Sequence, residues 1–197
     1  MPSSDTDLSE SKIIENGSVT VCAKSRGTHF TVYLYNEIGI DSLKYMELSY
    51  LCLNAGHEDL ITVLLDSPGG SCSTADTIIN AFKSSSARIE MVVMGECASA
   101  AAIISLCGDS LRLMPGTTLM FHNFSSAPAG KARELAHAVA ENDLQYEYML
   151  KHHCLPFLTE QEVKLILSDR DVYIHSWDKD LDKRLSRHFS VDKGEIV

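Results

Sequence analysis

The sequence predicts an α/β fold in which parallel strands alternate with helical crossovers, and three stretches carry that prediction. Ile61-Thr62-Val63-Leu64-Leu65 is a continuous apolar run, as expected of a strand buried on both faces. It stops at Ser67-Pro68-Gly69-Gly70, and an amphipathic segment with Ile78, Ile79 and Phe82 follows. A second unit repeats the order: a strand from Ile89 to Met94, a turn at Gly95, and an apolar helical run from Ala98 to Leu106. In a third, the strand Leu119 to Phe121 ends at His122 and leads into a long helical pattern over 129–153. Repeated strand–turn–helix units imply parallel strands joined by helices.

The remaining elements fit around these three units. Residues 1 to about 12 are polar, with almost no apolar content, and are expected to be mobile. From Ile13 to Val32 the pattern is short and strand-like, broken at Gly17 and at Ser25-Arg26-Gly27, which predicts a hairpin. Thr31 to Tyr35 is a further strand. Residues 41–55 place Leu43, Met46, Leu51 and Leu53 near helical spacing, with Asp41 as the N-cap. Within 129–153, Leu135, Val139, Tyr146, Met149 and Leu150 share one side, predicting a long half-buried helix. Beyond Trp177, DKDLDKRLSRHF reads as a surface helix followed by a loose tail.

Composition narrows the function classes. The 197 residues suit one domain, and 45% hydrophobic with 22% charged residues is ordinary globular content. Seventeen Lys and Arg against 27 Asp and Glu leave a formal charge of −10, which repels phosphate backbones and argues against nucleic acid. No apolar run approaches the length that spans a bilayer. The polar, acidic start MPSSDTDLSESK lacks the features of a secretory signal, so the expectation is a cytoplasmic protein. Six cysteines, scattered singly in apolar company, read as reduced buried thiols. His152-His153-Cys154 is a poor chelator, because adjacent helical residues point in different directions, and no metal site is expected.

Both glycine-containing turns follow buried strands and precede helices, where unpaired backbone N–H groups can hold an anion or a developing oxyanion. Neither is a nucleotide loop, since no G-x-x-x-x-G-K-[ST] occurs. Ser99 opens the second helix amid Ala98, Ala100, Ala101 and Ala102. Taken singly, such a serine is more often a cap than a nucleophile. The segment is not a G-x-S-x-G elbow, because Gly95 lies four residues before the serine. A nucleophilic serine needs a base and the base an orienting acid. His122, at a strand end, is the candidate base; Asp169 and Asp171, before Val172-Tyr173-Ile174, are the candidate acids.

In combination these segments resemble the proteolytic subunits of Clp proteases, the self-compartmentalising serine peptidases, from about His29 to Trp177. The resemblance rests on DSPGGS (Asp66 to Ser71), GECASAA (Gly95 to Ala101), LMFHN (Leu119 to Asn123) and RDVYI (Arg170 to Ile174). It implies a spiral of strand–turn–helix units with a protruding handle helix, a divergent segment 1–28 and a peptidase domain 29–197. It implies Ser99 as nucleophile, His122 as general base and acid, and Asp171 as orienting carboxylate. The N–H groups of Gly70 and Ala100 would form the oxyanion hole, with no cofactor and no metal. It further implies stacked heptameric rings in the family's manner enclosing a chamber, fed with unfolded polypeptide by an ATP-dependent unfoldase partner. Ala100 and Ala101 stand where the family has methionine and glycine, and Asn123 follows His122 where the family has glutamine. Two alternatives stay open at this stage: a catalytically silent ring subunit, and an acyl-CoA enzyme of the crotonase type.

Overall fold

The computed structural model describes residues 12–16, 19–24, 28–123 and 131–190. The expected mobile start, the hairpin breaks at Gly17 and Ser25 to Gly27, and the tail after residue 190 lie outside these residues. Among the described residues, eight strands form one mixed sheet in the order β1-β2-β3-β4-β5-β7-β8, with β6 also beside β5. The strands are β1 (Lys12–Asn16), β2 (Val19–Lys24), β3 (His29–Tyr35), β4 (Leu60–Ser67), β5 (Arg88–Ala98), β6 (Ser110–Leu113), β7 (Thr118–Phe121) and β8 (Val172–His175). The helices are α1 (Met46–Asn54), α2 (Cys72–Lys83), α3 (Ala100–Ser105), α4 (Ala132–Met149), α5 (Glu160–Leu167) and α6 (Leu181–Phe189).

The expected parallel core is present: β3 pairs with β4, β4 with β5, and β5 with both β6 and β7, all in parallel. β1, β2 and β3 pair antiparallel, as the hairpin pattern implies, and β8 closes the other edge antiparallel to β7. In β4 the residues Ile61, Val63 and Leu65 are fully covered while Thr62 and Leu64 are half-buried, so this strand is completely dry on one face only. That face packs with Leu48 and Cys52 of α1, Ile78, Ile79 and Phe82 of α2, and Ala100 to Ile104 of α3.

Four expectations change. Gly95 is not a turn; β5 runs through it with a bulge, the register shifting between Leu65↔Val93 and Ser67↔Cys97. The bulge lets β5 pair with β6 at Glu90 to Val93 and with β7 at Glu96 to Ala98. In the helix over 41–55, Asp41 caps a 3₁₀ turn by accepting from Leu43 N–H, as expected of a cap. The buried face, however, is Tyr45, Leu48 and Cys52, while Leu43, Met46 and Leu53 are exposed. α4 is covered only towards its C-terminus, at Tyr146 and Met149, with Val139 and Leu144 exposed. β6 and α5 are not anticipated at all, although Thr159 and Glu162 form a reciprocal capping box that marks the start of α5. α6 is held to α5 by Arg184, whose guanidinium donates to both Glu162 oxygens at 2.8 and 2.9 Å and to Asp180 at 2.7 Å.

After α4 comes a π-helical turn, Leu150–Cys154, in which the His152 and His153 rings meet edge-on at 4.9 Å between centroids but each side chain of the triplet has its own further surroundings. His152 stacks on Tyr148 at 5.0 Å between centroids, Cys154 is fully buried, and the Lys83 ammonium donates to His153 Nδ1 at 3.4 Å. Among the described residues, no cluster of three His, Cys, Asp or Glu could hold a metal ion. None of the described helices is long and apolar enough to cross a membrane.

Burial first, and then the charge of Lys83, pushes the His153 pKa down from 6.5 to about 4. Between those values the unfolded chain binds a proton that the folded chain refuses, so stability must fall as pH drops from about 6.5 to about 4. Denaturation midpoints followed over that range are expected to decline in the wild type and to decline less in His153→Leu. Parallel declines in both proteins would show that His153 is not the coupled group.

Candidate active site

The glycine turn is pinned to the segment that leaves β3. Asn36 N–H donates to the Asp66 carbonyl at 2.9 Å, Ile38 N–H to the Gly69 carbonyl at 2.8 Å, and Ser71 N–H to the Ile38 carbonyl at 2.8 Å. In such a parallel bridge the flanking residues, Gly69 and Ser71, bond the partner strand. The N–H of Gly70 therefore faces the other way, and Gly70 lines a cavity there. Both glycines have positive φ, +94° at Gly69 and +143° at Gly70. A Cβ on Gly70 would sit 2.2 Å from the Ile38 carbonyl oxygen, and one on Gly69 would sit 2.6 Å from that of Ala98 and 2.7 Å from Ser99 Cβ. Glycine is thus what allows the first turn to lie flat against the second.

The second turn is set by β5. Asp66 Oδ1 accepts from Glu96 N–H at 2.9 Å, and a Cβ on Gly95 would come within 2.5 Å of that same oxygen, so a side chain there would have to push the Asp66 carboxylate aside. Past Gly95, Ala98 pairs with Met120 and Ser99 N–H donates to the Met120 carbonyl at 2.8 Å. Ser99 then adopts φ 56°, ψ −126° at the junction with α3, a region costing a non-glycine residue about 1–3 kcal/mol. Its hydroxyl makes no capping bond, which removes the ordinary reason for a serine at this position. The sequence lacks the G-x-S-x-G pattern, yet the geometry is the same solution: a strained strand-to-helix turn that holds a hydroxyl clear of the backbone. Ala100, buried behind it, opens α3, so its N–H belongs to the first turn and has no acceptor within the helix.

His122 follows β7 directly and is half-buried. Its carbonyl accepts from the hydroxyl of Tyr146 on α4, a buried phenol whose pKa is raised chiefly by burial. Continuing the β7–β8 register one step past Phe121↔Val172 sets His122 across from Asp171. The Asp171 carboxylate is exposed and accepts from Tyr173 OH at 3.4 Å. Asp169, at φ 61°, accepts instead from Asn123 Nδ2 at 2.7 Å.

Gly70, Ser99 and His122 thus share one cavity of about 490 Å³, with Glu37, Pro68, Gly69, Cys72 and Tyr146 also in its wall. Asp171 is not part of that wall. Among the described residues no hydrogen bond joins Ser99 to His122 or His122 to Asp171. Tyr146 was legible only as a core-facing residue, and Glu37 and Cys72 carry no signal in sequence, because the cavity that unites them is assembled from five separate segments. Tyr146→Phe leaves a partly buried carbonyl without its donor, so a loss of about 1 kcal/mol of stability is expected in urea denaturation. An unchanged midpoint would show the bond to be dispensable.

Comparison with known proteins supplies the relationship. The family model described as Clp protease matches residues 23–178. The chain is 28% identical over 122 residues to the chloroplastic ATP-dependent Clp protease proteolytic subunit 3 of Arabidopsis thaliana, covering 60% of this chain and 39% of that one. It is 27% identical over 150 residues to the ATP-dependent Clp protease proteolytic subunit 1 of Cutibacterium acnes, covering 73% of this chain and 68% of the relative. The chain therefore spans well under half the length of the first of these relatives. With a match whose span takes in the glycine turn, the Ser99 turn, His122 and β8, the chain belongs to the Clp protease family.

Proposed function

We propose that the protein is a serine endopeptidase that cleaves peptides and unfolded polypeptide through an acyl-enzyme. Ser99 Oγ attacks the scissile carbonyl, His122 takes its proton and returns it to the departing amine, and Asp171 orients and stabilises the imidazolium. The N–H groups of Gly70 and Ala100 receive the oxyanion. Water then attacks the acyl-enzyme with His122 again as base. The observation that carries this reading is Ser99 itself: a serine at positive φ, its hydroxyl not used as a cap, in one cavity with His122 and Gly70. Catalytic hydrogen bonds often tighten only when substrate is bound, so the missing Ser99–His122 and His122–Asp171 bonds are compatible with it.

The same missing bonds favour a second reading, a catalytically silent ring subunit. A fluorophosphonate probe followed by mass spectrometry separates the two. Labelling at Ser99 is expected; an unlabelled Ser99 in folded protein would leave the silent subunit as the reading.

Assembly into stacked homo-oligomeric rings is part of the proposal, with seven subunits per ring by family resemblance. Its support is uncovered apolar surface: Leu43, Met46, Tyr50 and Leu53 around α1 are each at least 60% exposed, and α4 exposes Val139, Leu144 and Tyr148. We further propose that α4 is the handle between rings. The relatives are named ATP-dependent, and this sequence has no nucleotide loop, so a separate unfoldase would supply ATP-driven unfolding.

A further inference from the structure

We propose that Glu37 makes this site selective for peptides that carry a lysine or arginine side chain beside the scissile bond. The inference rests on the peptidase reading of the cavity and extends it to substrate class.

Glu37 is the one carboxylate in the cavity wall, and the wall contains no lysine or arginine among the described residues. It is exposed, and no ion pair among the described residues neutralises it. Its backbone is held from both sides. Asn36 bonds the Asp66 carbonyl and Ile38 bonds the Gly69 carbonyl, so Glu37 is fixed to the same turn that carries Gly70. A substrate whose carbonyl oxygen meets the Gly70 N–H must therefore bring a neighbouring side chain past Glu37.

The surroundings carry the same sign. Asp76, on α2, lies close enough to Cys72 of the wall for its charge to add to burial in raising that thiol's pKa. The Asp76 carboxylate is held by Gln145 Nε2 at 2.9 Å, a neutral donor that leaves its charge uncompensated. Asp66 is exposed at the end of β4, immediately before the turn. A basic side chain entering the cavity is attracted by all three carboxylates, a neutral one gains nothing from them, and an acidic one is repelled.

The test uses matched fluorogenic peptides with Lys, Gln, Leu or Glu next to the cleaved bond. At low salt kcat/KM for the Lys peptide is expected to exceed that for the Gln peptide by about fivefold, and the ratio to shrink as salt is raised. Glu37→Gln should remove most of that ratio, leaving only the weaker pull of Asp66 and Asp76, which are not in the cavity wall, and Glu37→Lys should turn the preference towards the Glu peptide. An unchanged Lys-to-Gln ratio in Glu37→Gln would overturn the proposal. Binding of the same peptides to Ser99→Ala protein, read by fluorescence anisotropy, separates this inference from the peptidase reading. A Glu37-dependent preference for Lys without any turnover by the wild type would remove the peptidase and keep the selectivity. Equal binding of Lys and Gln peptides would remove the selectivity whatever the turnover.

Discussion

Purified Ser99→Ala protein is expected to hydrolyse unstructured peptides about 10⁴-fold more slowly than wild type, or worse, and His122→Ala to match it. In the proposed mechanism the two groups act as one unit, so the double variant should be hardly slower than either single one. Asp171→Asn should also be severe, since an amide in place of the carboxylate favours the wrong imidazole tautomer. Asp169→Asn is the informative control: its carboxylate bonds Asn123, so its loss should be much milder. Peptide turnover by Ser99→Ala comparable to wild type would sink the assignment, and a larger loss in Asp169→Asn than in Asp171→Asn would move the orienting role to Asp169.

Gly70→Ala should be the most damaging single methyl group added near the site. The new Cβ would be 2.2 Å from a backbone oxygen at a φ of +143°, so neither a side-chain rotation nor a small backbone adjustment relieves it. Gly116 provides the comparison. It too has positive φ, +88°, but its Cβ would meet nothing within 4 Å. Urea denaturation is expected to show Gly116→Ala losing about 1 kcal/mol, from conformation alone, and Gly70→Ala about 3 kcal/mol or more. Peptide turnover should vanish in Gly70→Ala even where the protein still folds, because the turn can no longer lie against Ile38 with its N–H aimed into the cavity. Equal losses in the two variants would mean that the turn yields easily and that its glycines are not what positions the site.

Much of the fold could be read from local pattern. The apolar run Ile61 to Leu65 and the stretch Ile89 to Met94 became β4 and most of β5, because central parallel strands must be apolar to lie under helices. Ile78, Ile79 and Phe82 are buried on α2 as their spacing requires. Gly70, Ser99 and His122 could be singled out in the sequence only through the resemblance of their motifs to one family, each being ambiguous alone, and the fold brings all three to one cavity. Local pattern failed where burial depends on distant partners. Around α1 the apolar residues Leu43, Met46 and Leu53 are exposed and Tyr45 is buried, since what covers a helix face is decided by its neighbours and not by its own composition. β6 has only four residues and exists because β5, displaced by its bulge, leaves an edge open beside Glu90 to Val93.

The identity of the chemical groups was therefore set by the sequence itself, whereas their meeting was decided by tertiary structure. The strain at Ser99 and the packing of Gly69 against it come from strands that are remote in sequence and adjacent in the sheet. Glu37 and Tyr146 join the cavity for the same reason: one is carried on the segment after β3 that is tied to the glycine turn, the other on a helix whose hydroxyl reaches the carbonyl of His122. Side-chain chemistry is a property of each residue alone, but a distance between residues more than 20 positions apart depends on every element packed between them.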